Sequence, residues 1–132
     1  MLKRRRGAVV LVSSLAAFQG APFLSVYGAT KAFNLSLAEG LWLELQPHGV
    51  DVLAVCAGAT LTPNYLQVSA RGAAPGELEP EQVVAEALSR LGRGPFMIPG
   101  ALNRLAAWML WLIPLRTRLR VMASQTRKLM KQ

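Results

Sequence analysis

Three side chains in "SSLAAFQGAPFLSVYGATK" invite a chemical reading: Ser14, Tyr27 and Lys31. Tyr27 stands four positions before Lys31, a spacing that sets both on one helix face, about 5–6 Å apart at Cβ. An ammonium so placed stabilises a phenolate. At about 6 Å and an effective dielectric near 20 the attraction is roughly 2.8 kcal/mol, and a helix N-terminus adds about 0.3–1 kcal/mol. That sum is of the order a phenol needs to serve as general acid or general base. Ser14, thirteen positions before Tyr27, is suited to steady an oxygen on which charge develops. The alternative is a surface tyrosine beside a solvated lysine, and the surrounding elements decide between the two.

Those elements follow from local patterning. "GAVVLVSS" (7–14) is a β-branched run bounded by glycine and serines, so it predicts a fully buried strand. A loop with Gly20 and Pro22 follows. From Ser25, the expected N-cap, to Gln46 the residues favour helix. Its expected inward stripe is Phe33, Leu37, Leu41 and Leu45, and Pro47 and Gly49 stop it. "GVDVLAVCAG" (49–58) predicts a second buried strand, and 60–79 a long loop with room for one short helix. Pro80 opens an amphipathic helix with Val83, Val84, Ala87, Leu88 and Leu91 inward and Gly92 just past its end. "GPFMIPG" (94–100) predicts a third strand, and the remainder one or two helices broken near Pro114. Buried strands alternating with helices imply an α/β fold with a parallel sheet. Ligands of such sheets lie beyond the carboxyl ends of the strands, where Ser13–Ser14, Tyr27 and "AGATLT" converge.

"VVLVSS", "YGATK" and "VLAVCAGATLT" together resemble the second half of a short-chain dehydrogenase/reductase, over roughly residues 7–100. The resemblance implies a partial Rossmann-like doubly wound parallel sheet of three strands alternating with helices, plus a C-terminal helical segment. It implies an NAD(P)-dependent oxidoreductase that moves a hydride between the nicotinamide and an alcohol or carbonyl compound. In that family a serine, a tyrosine and a lysine act together, here Ser14, Tyr27 and Lys31, and the lysine also bonds the nicotinamide ribose. Ala57, Gly58, Thr60 and Thr62 fall in the segment that passes the nicotinamide and pyrophosphate. Gly58 would allow close backbone approach and Thr62 a hydroxyl bond to phosphate. Alanine at 57 departs from the family's usual proline.

The resemblance also implies an absence. No glycine-rich turn after a strand and no upstream asparagine precede this segment, so the expectation is a C-terminal half only, with the N-terminal cofactor-binding half missing. Such a chain would bind NAD or NADP weakly and, by itself, would turn over little or nothing. Its first strand would be an open edge prone to pair with another chain. The competing expectation is a non-catalytic dimerisation module using the apolar helix that carries Trp42. The expected organisation is residues 1–100 as oxidoreductase domain and 101–132 as a basic amphipathic helical extension.

Composition limits the other classes. Of 132 residues 52% are hydrophobic and 17% charged, enough for one core. The formal charge of +8 sits at the ends, because residues 1–6 and 101–132 hold eleven of the fifteen basic groups and no acid. Four basic and seven acidic groups remain between them, unlike a basic nucleic-acid groove, and no interleaved aromatics offer stacking platforms. The lone Cys56 is read as a buried hydrophobe in a reducing, cytoplasmic setting. His48 is read as a loop residue with no metal partners. "LAAWMLWLIPL" (105–115) is too short to cross a bilayer. With the arginines that follow it could lie on an anionic membrane surface, though packing on its own domain is the simpler expectation. The resemblance implies as partners a small-molecule alcohol or carbonyl substrate, with the apolar content of 61–79 and the C-terminal segment pointing to a lipophilic one, and a second copy of the chain.

Overall fold

The structure, a computed structural model, describes residues 1–69, 72 and 74–130. Lys131, counted with the basic C-terminal end, and three positions of the loop before Pro80 lie outside the described residues. Three strands form one parallel sheet in the order β1 (Gly7–Ser14), β2 (Val50–Ala57), β3 (Phe96–Met97). β1 and β2 pair from Gly7 with Val50 to Ser14 with Ala57, and β3 adds only opposite Ala54 and Val55. The helices are α1 (Ser25–Leu45), α2 (Pro63–Val68), α3 (Pro80–Ser89), α4 (Ala101–Trp111) and α5 (Leu115–Met130). A doubly wound, partial Rossmann-type α/β sheet is therefore present, as the alternation of strands and helices implies.

β2 is the centre of the core because helices cover both of its faces. Val52, Ala54 and Cys56 meet Leu35, Ala38, Leu41, Trp42 and Leu45 of α1. Leu53 and Val55 meet Ala87 and Val83 of α3, Leu91 just past its end, and Met97. Each fully buried valine or leucine contributes about 1.5–3 kcal/mol. α3 starts sharply because Pro80 is its first residue and Glu79 and Gln82 form a reciprocal capping box. α5 crosses the turn after β1, with Leu119 against Gly20 and the Arg127 guanidinium 5.0 Å over the Phe23 ring.

Several sequence expectations are corrected here. β1 is not buried on both faces: Val9 and Leu11 meet α1, whereas Val12 is 61% exposed and Val10 also faces solvent. α3 lies over β2 and β3, so among the described residues that side of β1 is left exposed at Val10 and Val12. Phe33 and Leu37 point outward, and Leu35 and Ala38 take the core positions. A strict four-residue stripe drifts by about 40° per step on a helix of 3.6 residues per turn, so Phe33 and Leu45 cannot share a face. Val84 and Leu88 are exposed, since the narrow sheet meets only Val83, Ala87 and Leu91. Ser25 is the first residue inside α1 rather than its cap, which is Leu24. Trp42 packs on the chain's own core and is not free for a partner.

Candidate active site

The pleat of β1 separates its two terminal serines. Ser13 faces α1, is 2% exposed, and donates its hydroxyl to the Lys31 carbonyl at 2.8 Å. Ser14 points to the other face, and its Oγ accepts from the Ala16 amide at 3.2 Å, capping the 3-10 turn Leu15–Phe18. Oγ acts as acceptor there, and among the described residues the Ser14 hydroxyl donates no hydrogen bond.

That turn brings the start of α1 back to the serine. Gly28 is buried, and a Cβ on it would lie 3.2 Å from the Ala21 Cβ and 3.5 Å from the Ala16 carbonyl oxygen. The helix can therefore press directly on the segment that follows Ser14. Lys31 Nζ lies 5.5 Å from the centroid of the Tyr27 ring and donates to the Val12 carbonyl at 2.9 Å. Tyr27 and Lys31 thus share a face at the carboxyl end of β1. Asn34 Nδ2 donates to the same Val12 carbonyl at 3.2 Å, so α1 reaches the strand with two side chains. Tyr27 is 45% exposed, and among the described residues its hydroxyl has no hydrogen-bond partner.

The sequence reading placed Ser13 at the end of the strand but missed its part in fixing α1 against β1, and missed Asn34 altogether. Asn34 follows Lys31 by three positions and so shares its face, and Ser13 alternates with Leu11 towards α1. Both signals were present but gained meaning only once α1 was known to lie on β1.

Beyond β2 the chain passes Ala57, Gly58, Thr60 and Thr62. The Thr60 hydroxyl donates to the Gly58 carbonyl at 3.3 Å, and Thr62 Oγ1 accepts from the Tyr65 amide at 3.2 Å, capping α2. Leu78 bridges to Thr60, which folds the 72–78 segment beside this stretch. Glu77 gathers that segment, accepting from the Tyr65 hydroxyl at 2.8 Å and from the Gly72 and Ala74 amides. Burial and Glu77 together push the Tyr65 phenol up from its ordinary value. The space beside Gly58 belongs to Asn103, whose Nδ2 would be 2.9 Å from a Cβ there. Asn103 is 4% exposed and donates to the Gly76 and Pro99 carbonyls, each at 3.0 Å. It ties α4, the 72–78 segment and the turn after β2 into one unit, which the sequence reading missed entirely. An asparagine inside an apolar helix is the signal that could have revealed it.

Cys56 is fully buried, and burial pushes its thiol up to about 11, so it is no nucleophile. No group of three metal-ligating side chains occurs among the described residues. A recess of about 260 Å³ along β3, lined by Arg90, Arg93, Phe96, Met97, Ile98 and Arg104, shares no residue with the Ser14–Tyr27–Lys31 group.

Comparison with known proteins gives this geometry a family. The family model for short chain dehydrogenase matches residues 1–71. A 7beta-hydroxysteroid dehydrogenase of Collinsella aerofaciens is 39% identical over 105 residues, covering 75% of this chain and 40% of that protein. A structure described under 7beta-hydroxysteroid dehydrogenase stereoselectivity superposes with a TM-score of 0.80 at 34% identity, over 91% of this chain and 47% of that one. A short chain dehydrogenase from Burkholderia cenocepacia in complex with NADP superposes at 0.68 with 27% identity, over 92% of this chain and 49% of that one. The expectation of a C-terminal half alone is overturned by where these matches fall. The family model is engaged from the first residue, and the superpositions take in nearly all of the chain. The chain spans 40–49% of the length of these relatives. On the family match, the sequence identity and the superposed sheet, the chain belongs to the short chain dehydrogenase family.

Proposed function

We propose that this chain serves an NAD(P)-dependent oxidoreductase reaction that interconverts an alcohol and a carbonyl compound, with Ser14, Tyr27 and Lys31 as the reacting group. The observation that carries the reading is the Lys31 ammonium 5.5 Å from the Tyr27 ring, held there by the Val12 carbonyl. Tyr27 gives a proton to the substrate oxygen during reduction and takes it back during oxidation. The nearby ammonium stabilises the phenolate left behind. Ser14 donates its free hydroxyl to the same oxygen and stabilises charge that develops on it.

The residues present fit the nicotinamide-ribose end of a dinucleotide. Lys31 keeps two of its three N–H groups for ribose hydroxyls, and the Tyr27 hydroxyl faces solvent beside it. The Thr62 hydroxyl, accepting only from Tyr65, has its proton free for a phosphate oxygen. Gly58 has a different part: its bare Cα makes room for Asn103, which steadies Ala57–Thr62 from behind. When bound, the nicotinamide supplies or accepts the hydride, and either NAD or NADP suits this end. The name of the Collinsella relative supports a bulky lipophilic alcohol or ketone as substrate, with residues 61–79 and the C-terminal helices lining its pocket. In this reading residues 1–100 form the oxidoreductase part and 101–132 a helical extension. The outward apolar side of α1, with Val26 and Phe33 exposed, supports pairing with a second copy.

The test compares wild type, Tyr27→Phe and Lys31→Met for consumption of reduced nicotinamide with a panel of cyclic ketones. Tyr27→Phe is expected to lose at least about 100-fold in rate, within the range assigned to general acid–base catalysis. Lys31→Met is expected to weaken reduced-nicotinamide binding as read by its fluorescence. Equal rates for wild type and Tyr27→Phe would refute the assigned proton donor.

A further inference from the structure

α4 is built inside out. Its inward side carries a buried polar residue, Asn103, while Leu105, Trp108, Met109 and Leu112 line the side that faces solvent. Trp108 is 65% exposed, Leu112 71%, and Trp111 beside them 71%. Water should reject such a face, so it is suited to an apolar environment that the chain does not itself provide. The ends of α4 and α5 meet at Leu112–Leu115, with Leu115 also exposed. Arg116 and Arg120 follow one helical turn apart, while Arg127 further along α5 rests on the Phe23 ring. All three are exposed. Residues 101–132 hold seven basic side chains and no acid. Among the described residues no helix is long and apolar enough to cross a membrane.

We propose that the α4–α5 corner docks the chain on the surface of an anionic lipid bilayer. Leu105, Trp108, Met109 and Leu112 enter the boundary between headgroups and acyl chains, a depth at which tryptophan is favoured. Arg116 and Arg120 engage anionic headgroups beside them. Charge decides against a second copy as the occupant, because two such corners would set the exposed Arg116 and Arg120 against their own counterparts. The 11 residues of α4 reach only about 16 Å, so the helix lies on the membrane and does not span it.

The full chain is sedimented with vesicles of phosphatidylcholine containing about a third phosphatidylserine, and with vesicles of phosphatidylcholine alone. The expected result is pelleting with the anionic vesicles, at least about tenfold weaker with neutral ones and in high salt. Trp108→Ser/Leu112→Ser and Arg116→Glu/Arg120→Glu should each lower anionic-vesicle binding by at least about tenfold, with unchanged circular dichroism because all four side chains are exposed. Failure to pellet, equal pelleting with both vesicles, or unchanged binding of either variant overturns the proposal. A wild-type oligomer that ignores vesicles and dissociates in the serine variant overturns it in favour of a second copy.

Discussion

Gly58 and Asn103 are coupled by contact, and a double-mutant cycle measures that coupling. A methyl group on Gly58 would sit 2.9 Å from Asn103 Nδ2, 3.0 Å from Oδ1 and 3.1 Å from Cγ, inside the roughly 3.5–4.0 Å preferred by non-bonded atoms. The amide cannot swing aside cheaply, because Nδ2 is held by the Gly76 and Pro99 carbonyls at 3.0 Å each. Gly58→Ala should therefore cost about 1–3 kcal/mol, the range for overpacking a tight site. Asn103→Ala leaves two carbonyls without this donor and opens a gap, for a total of about 3 kcal/mol. In the double variant the methyl group occupies space that the asparagine has vacated. Its cost should match that of Asn103→Ala alone, a coupling of about 1–3 kcal/mol against the roughly 0.5 kcal/mol scatter of independent sites. Equilibrium urea unfolding of the four proteins, with a common dependence on denaturant, reads this directly. Costs that add within about 0.5 kcal/mol would show that Asn103 does not hold the turn after β2, and the supporting role given to it would be wrong.

Ser13→Ala removes the 2.8 Å bond to the Lys31 carbonyl and should lower stability by about 1 kcal/mol in the same assay; an unchanged midpoint would mean that the bond does not fasten α1 to β1. Burial raises the Cys56 thiol from 9.0 to about 11, so below pH 9 both folded and unfolded forms keep the proton and the group has no effect. Between pH 9 and 11 the unfolded chain ionises first, and stability should fall by about 2–3 kcal/mol with rising pH. Cys56→Ala should lack that share of the alkaline slope, and identical slopes would contradict the buried-thiol account.

Local punctuation made most of the elements legible. β1 matches 7–14 because glycine and paired serines bound a β-branched run. α3 begins at Pro80 and α4 ends before Pro114, where an imide nitrogen cannot continue a helical ladder. Tyr27 and Lys31 could be paired in advance because a helix fixes the relation of i to i+4 whatever surrounds it. Coverage was not legible. The valines of β1 and β2 look alike in sequence, yet Val12 is open and Val55 is enclosed, because α3 crosses only the second and third strands.

By itself, then, the sequence determined the order of strands and helices and the face shared by Tyr27 and Lys31, which depend on torsions and spacings a few residues apart. The tertiary structure alone decided that Ser13 and Asn34 lock α1 to its strand, that Asn103 fills the hollow beside Gly58, and that α4 turns its tryptophans outward. Those outcomes depend on which surfaces meet at sequence separations of 18 to 45, and hydrophobic burial, being non-directional, does not name its partner in advance.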